Sequence, residues 1–417
     1  MSAPGRGPLG VPPFGWGVLV GVCGTLFVVA AVTLVGGGDG GQRVDAAHAP
    51  AEATAPPTSG APDGRTATTS SAGTPPTSPA SPASPVSTAS AAAAATSDGP
   101  QDDGPPGGAA SDTAVPEGRR VSCPPAMVRV RDADQLQGAL DAAEPGDVIV
   151  LEDGTYVGSF VASRPARSDA PIYLCGSPRA VLDGGGVRKG YVLHLKGVAH
   201  YRVVGFTVRN GQKGVMADGT ESSVIQGLTV EEIGDEGIHL RAASSANAVL
   251  DNTIRRTGLR RDKFGEGIYV GSARSNWATH SGGEPDRSDH NLVEGNTISE
   301  TGSESIDVKE GTTGGRIVGN VMDGRGMTGA DSLVDVKGND WVIEGNVGRH
   351  APEEAMQTHR ILEGWGSGNV FRGNTVDVDG GGHHFYVHDP HVTANRVDCD
   401  NRTSSGAAVR SNVACVP

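Results

Sequence analysis

The sequence predicts an all-β fold, a single-stranded right-handed parallel β-helix with an N-terminal capping helix, on three observations. First, an Asn-turn unit recurs: LDNTI at Asn252, VEGNTI at Asn296, IVGNVM at Asn320, IEGNV at Asn346, FRGNT at Asn374 and VTANRV at Asn395. Most spacings are 21 to 28 residues, and the 44 between Asn252 and Asn296 requires an inserted loop. Second, each unit carries short β-branched runs parted by Gly and Asn, which read as strand, turn, strand, turn. Such strands cannot bury an inward face alone, so coil must stack on coil. Asparagines repeated at one turn then form a hydrogen-bonded ladder. Third, DADQLQGALDAAEPGDVIVL precedes the repeats. Asp132 or Asp134 starts a helix, Leu136, Leu140 and Ala143 keep helical spacing, and Pro145-Gly146 stops it before a first strand. A helix over the open end covers unpaired strand edges.

Taken from the N-terminus, residues 1–14 read as a short cytoplasmic segment. Residues 15–37 are uncharged and long enough to span a bilayer, as a transmembrane anchor or an uncleaved signal. Residues 38–120 are an Ala/Ser/Thr/Pro-rich stalk, too poor in large apolar side chains to offset the entropy of ordering, so disorder is expected. Residues 121–417 supply the β-helix. This order implies a single-pass protein of the cell membrane with an extracellular C-terminal domain; secretion is the alternative. Cys123, Cys175, Cys399 and Cys415 suggest two disulfides in an oxidising compartment, and sequence proximity favours Cys123–Cys175 and Cys399–Cys415. The formal net charge of −14 argues against a nucleic-acid partner. A β-helix capped at both ends is expected to be a monomer.

Aligning the strand that precedes each Asn turn gives EGIHLR from Glu236, EGIYVG from Glu266, ESIDVK from Glu304, SLVDVK from Ser332, EAMQTH from Glu354 and HHFYVH from His383. The third and fifth residues are apolar and belong inside. The first, fourth and sixth form exposed or half-exposed columns. They hold Glu236, Glu266, Glu304, Ser332, Glu354 and His383; His239, Tyr269, Asp307, Asp335, Gln357 and Tyr386; and Arg241, Gly271, Lys309, Lys337, His359 and His388, with Arg360 adjacent. Parallel coils stack at the spacing of neighbouring strands, about 4.8 Å, so residues in one column nearly touch. Folding does not require stacked like charges.

The Asp-Gly-Thr-Tyr segment followed by APIYLCGSPRAVLDGGG resembles the N-terminal part of chondroitinase-B-like and alginate-lyase-like polysaccharide lyases. GEGIYVG (Gly265–Gly271) and ESIDVK (Glu304–Lys309) are similar to two of that family's motifs. The resemblance implies that Glu304 helps bind calcium, that Lys309 is the catalytic base, and that the family's catalytic arginine falls on Lys337. Gly302 stands where the family has a second glutamate, Lys263 where it has an asparagine ligand, and Tyr269 where it has an arginine. A Ca2+ site would therefore draw on Glu266, Glu304 and Asp307 or Asp335.

Removing a proton α to a uronate carboxylate needs that carboxylate neutralised and a base brought towards neutrality. Lys309 stacked on Lys337 would be pushed that way by mutual repulsion. His359, Tyr386 and His388, with Arg360, form a second possible acid–base centre. His239, Arg241, Tyr269 and His383 are candidate substrate contacts. The insert at 255–290 is expected to rim the groove, with Trp277 placed to stack on a sugar. These features point to a polysaccharide lyase that cleaves a uronic-acid-containing glycan by β-elimination. The alternatives are a uronate epimerase, a glycoside hydrolase using Glu304 with Asp335, or a non-catalytic surface protein that binds or spaces cell-wall glycan.

Overall fold

The structure is a computed structural model that describes residues 120–417. The apolar run at 15–37 and the stalk up to its last residue lie outside the described residues. Among the described residues, no helix is long and apolar enough to cross a membrane.

Among the described residues, twenty-nine strands form three parallel sheets of 11, 9 and 9 strands. Each coil therefore contributes three strands, where the Asn repeat alone predicts two. A representative coil runs through Ala248–Leu250 in the first sheet, turns at Asn252, and enters Thr253–Arg255 in the second. It then crosses a loop to Ile268–Val270 in the third. The aligned segments of the previous section are all third-sheet strands, so a first-sheet strand separates each of them from its Asn turn. One continuous core of Ile, Val, Leu and Phe side chains fills the interior between the three sheets.

The Asn turn is a ladder. The Asn252 backbone N–H donates to the Asn296 side-chain oxygen at 2.9 Å, and the link repeats through Asn320, Asn346, Asn374 and Asn401. Asn395 is not a member of it. It accepts from Asn369 at the entry to the first sheet, and Asn401 takes the expected place beside Asn374. The repeat VTANRV looked like another copy because both turns use the same side chain in the same way.

Helix α1 (Ala133–Ala142) is N-capped by Asp132, whose carboxylate accepts from the Gln135 N–H at 2.8 Å. Leu136 and Leu140 are fully buried. The Gln137 side chain pairs with both backbone groups of Val161 in Phe160–Ala162, the terminal strand of the third sheet. That amide satisfies an edge that would otherwise lack a partner. The two disulfides join Cys123 to Cys175 and Cys399 to Cys415, as sequence proximity favoured.

Ahead of Cys123 the chain runs along the flank of the solenoid. Val121 exchanges two hydrogen bonds with the Gln226 side chain, and Arg120 pairs with Asp251 at 2.7 Å and with Glu294. The partners stand on successive coils of the first sheet, so this strap lies on a different sheet from the aligned columns.

Candidate functional site

Strand pairing places the columns as the alignment predicts: His239 faces Tyr269, Tyr269 faces Asp307, Asp307 faces Asp335, Asp335 faces Gln357, and Gln357 faces Tyr386. Their surroundings differ from expectation. Glu236, Glu266, His239, Tyr269, Asp307, Asp335, Lys309 and Lys337 are all buried rather than exposed. The second position explains part of this. A Cβ on Gly237 would stand 2.7 Å from the Gly267 carbonyl oxygen and 2.9 Å from Ile254, so the chain bends tightly there and only glycine fits. The bend turns the preceding glutamate onto the same side as the fourth residue.

The floor formed in this way is an ion-pair chain. Asp307, fully buried, holds Lys309 Nζ at 2.6 Å and Lys337 Nζ at 2.8 Å on its two oxygens. Lys337 also touches Asp335 at 2.6 Å, and Asp335 accepts from His359 Nδ1 at 2.9 Å. The two stacked lysines were expected to lower each other's pKa. The structure reverses this: burial works against each ammonium, but Asp307 between them, with Glu304 and Glu266 around Lys309 and Asp335 beside Lys337, raises both above the ordinary lysine value. Lys309 is therefore a fixed cation here, not a neutral base waiting for a proton.

The acids divide by neighbourhood. Burial opposes ionisation of Asp335, yet His359 and Lys337 hold its carboxyl below the usual range. Burial also opposes ionisation of Glu236, which Lys213 at 2.6 Å and His239 hold low. For Glu266 the nearby charge of Lys309 does not suffice. Burial and the charges of Glu236, Glu304 and Asp307 push it well up. Glu304 is raised by burial and Asp307. Burial also keeps the Tyr269 phenol protonated, reinforced by Asp307. Burial lowers His239, whereas His359 is raised because Asp335 outweighs burial.

On one side of the lysines, the His239 ring meets Tyr269 edge-on at 4.3 Å and donates from Nε2 to the Gly271 carbonyl at 2.9 Å, while Lys309 Nζ lies 5.1 Å from the Tyr269 ring centre. On the other side, His359 stacks on His388 at 3.7 Å, Tyr386 meets His388 edge-on at 4.8 Å, and His383 packs on Tyr386. The two centres read from sequence are thus one continuous row joined by Asp335. Arg241 lies on the same strand as His239, tied to Asp218 at 2.6 Å. Arg360 turns out of the row into the loop that follows it.

Glu266, Glu304 and Asp307 bring oxygens within 4.8 Å of one another, whereas Asp335 is spent on Lys337 and His359. The buried Glu266 Oε2 has no hydrogen-bond partner. Three carboxylates suit Ca2+ in kind, with other oxygens needed to complete its six to eight ligands, but Asp307 already bears two ammonium groups.

The insert at 255–290 splits into two loops on either side of Ile268–Val270, one with a 3-10 turn at Asp262–Phe264 and one with a short helix, Trp277–His280. Trp277 does not present a face to a sugar: its ring is buried and its Nε1 donates to the Ser272 carbonyl at 2.9 Å. Reading back one coil would have revealed residues that the alignment missed. KGVMAD at 213–218 has the same apolar third and fifth positions and supplies Lys213 and Asp218. His280, which accepts from Arg241 and is lowered to about 4 by burial and Arg241, had no signal in the repeat.

The sequence matches the family model described as periplasmic copper-binding protein (NosD) over residues 153–348. No curated protein matches it. Among solved structures, an alginate lyase from Paenibacillus sp. str. FPU-7 is 34% identical, with a TM-score of 0.63, over 69% of this chain and 99% of that one. The pectate lyase Pel9A is 15% identical with a TM-score of 0.43, covering 66% and 72% of the two chains. The Streptococcus pneumoniae surface protein and adhesin PfbA is 12% identical with a TM-score of 0.48, covering 66% and 82%.

Proposed function

We propose, for a chain that belongs to the family of the Paenibacillus alginate lyase, that it cleaves a uronic-acid-containing polysaccharide by β-elimination over the floor of the third sheet. One observation carries this reading: two lysines of adjacent coils are held cationic on a buried carboxylate beneath the columns. A uronate carboxylate bound over Lys309 and Lys337 has its charge neutralised, and the negative charge that develops on it when the C5 proton leaves is stabilised in place. His359, oriented by Asp335, takes that proton. The C5–H electron pair becomes the C4=C5 double bond, the C4–O bond to the departing sugar breaks, and that oxygen takes a proton from the hydroxyl of Tyr386, one coil from His359. His388 and Tyr269 then line the path of the chain on either side, with His239, Arg241 and His383 at its ends.

A second reading has one observation in its favour. Glu304 is raised and Asp335 lowered, a split that suits an acid and a base for glycoside hydrolysis. The products separate the two. Uronate polymers, alginate first, are incubated with the protein, and unsaturated uronate is followed by its ultraviolet absorbance. Elimination predicts an absorbing product, lost in Lys309→Ala and kept in the distant Lys189→Ala. New reducing ends without that absorbance would replace elimination by hydrolysis. Binding without product would make the protein a glycan-holding surface module, and a changed uronate stereochemistry without cleavage would make it an epimerase.

The same proposal includes a location. Two disulfides fit an oxidising compartment, and the apolar run at 15–37 would tether a monomeric, glycan-facing domain outside the cell membrane. Membrane fractionation of the full chain tests the tether.

A further inference from the structure

Beyond the ion-pair row, a cavity of about 540 Å3 opens where three successive third-sheet strands turn away towards the first sheet. Asn339 follows Lys337 by two residues, Arg360 follows His359 directly, and Thr393 closes the side reached after His388; all three line it. Trp365, Ser367 and the carboxylates of Asp340 and Glu363 also line it.

The walls are tied together. The Asn339 side chain donates to the Gly364 carbonyl at 2.8 Å and accepts from the Ser367 N–H at 3.0 Å. Ser367 Oγ accepts from the Ala394 N–H at 2.9 Å, which joins the loop that carries Trp365 to the loop after His388. Arg287, from the second inserted loop, lies 5.7 Å from the Trp365 ring centre. Trp365 is half-exposed, unlike Trp277 and Trp341. Arg360 is held by a single long ion pair to Asp389, 3.6 Å.

We infer that this cavity is a lateral subsite for a uronosyl unit of the polymer, with Trp365 stacking on the sugar face and Arg360 gripping its carboxylate. The inference rests on the lyase reading for its substrate class. A planar indole takes the apolar face of a pyranose, and a guanidinium matches a carboxylate in two-point fashion where lysine cannot. Asp340 offers acceptors to sugar hydroxyls. Because the loops are already tied, little ordering entropy is lost on binding. The subsite lies one residue from His359, so a chain bound over the lysines reaches it by continuing across the row. The sequence groups Arg360 with the acid–base centre of His359, Tyr386 and His388; its place in the cavity wall makes it a binding residue in this subsite.

The full chain is assayed with polymer for kcat and KM, and its tryptophan fluorescence is titrated with oligomannuronate, oligoguluronate and a neutral cello-oligosaccharide, using Lys309→Ala to prevent turnover. Trp365→Leu and Arg360→Gln should each raise KM about tenfold, the loss of one good contact, with kcat little changed. Trp365→Phe should restore most of the KM, which a merely structural role for the ring would not predict. The uronides, and not the neutral sugar, should shift the fluorescence, and the shift should vanish in Trp365→Phe. Activity with unchanged KM in both variants and a Trp365-independent fluorescence response would overturn the subsite and leave the lyase reading intact. A Trp365-dependent response without any unsaturated product would keep the subsite as a glycan-binding site and remove the lyase reading. A response to the neutral sugar alone would overturn the uronosyl assignment.

Discussion

On the turn between the first and second sheets, Asn252, Asn296, Asn320, Asn346, Asn374 and Asn401 stack one above another; on the third sheet, Glu236, Glu266 and Glu304 do the same. Both columns are polar and both are largely buried. Each inner asparagine amide donates to the next asparagine and to a core carbonyl, as Asn320 does to Asn346 and Val293, and none of the six has an unpartnered buried atom. An amide carries donor and acceptor together, so copies of it satisfy one another. A carboxylate only accepts. Copies of it repel, leaving Glu236 Oε2 and Glu266 Oε2 without hydrogen-bond partners, and the column persists because Lys213 pairs with Glu236 while the charges of Lys309 and Lys337, paired to Asp307 in the next column, act on Glu304. A repeat that completes itself is structure. One that needs charge from outside it is where the proposed uronate carboxylate would be received.

That contrast can be broken from either side. The largest effect is expected at the lysines: Lys309→Ala and Lys337→Ala should each cost about 100-fold or more in kcat, as removal of a preorganised charge at a developing anion does. Unsaturated-product absorbance reads this, and a loss of only a few-fold would remove the neutralising role. Asn320→Leu should do the reverse. It strands the Asn296 N–H and amide together with the Val293 carbonyl, at a cost of about 3 kcal/mol or more. Thermal melting should record that loss, while activity per folded molecule stays near that of the parent.

Glu266→Gln is a gentler test. The folded carboxyl keeps its proton above the ordinary value of 4.5, whereas the unfolded chain releases it, so the folded state binds more protons as pH rises through that value. Stability should fall with pH over this interval, up to the folded pKa, and Glu266→Gln should flatten the fall. Parallel melting-versus-pH curves for parent and variant would count against a strained Glu266. The smallest effect concerns calcium, which the resemblance implied. If the three carboxylates accept it, EDTA should lower the melting temperature, added Ca2+ should restore it, and Glu266→Gln should abolish both responses; an unchanged melt would leave the floor to its lysines.

Much of this was legible in the chain. The apolar third and fifth positions fixed the register of six strands, and the pairing from His239 to Tyr386 follows it. Burial was not legible, because periodicity shows which way a side chain points and not what covers it. The Lys309–Lys337 pair shows the limit most clearly. Their stacking was readable, but Asp307 lies in the neighbouring column, and only the geometry puts its two oxygens between the two ammonium groups. Trp277 failed for the related reason that an aromatic on an inserted loop can as easily pack beneath the loop as above it. Asn395 failed because two turns of the same coil use the same amide chemistry.

The strap ahead of Cys123 has a mechanical meaning. A pull on the polypeptide before Arg120 first peels the ion pairs to Asp251 and Glu294 and then the two bonds to Gln226. The next element to bear the load is the covalent bond from Cys123 to Cys175, which passes the force into a strand of the first sheet. Everything between those cysteines, α1 included, sits in a slack loop. Traction from that direction therefore bypasses the end of the solenoid, and the first coil cannot be unwound by it while that bond is intact.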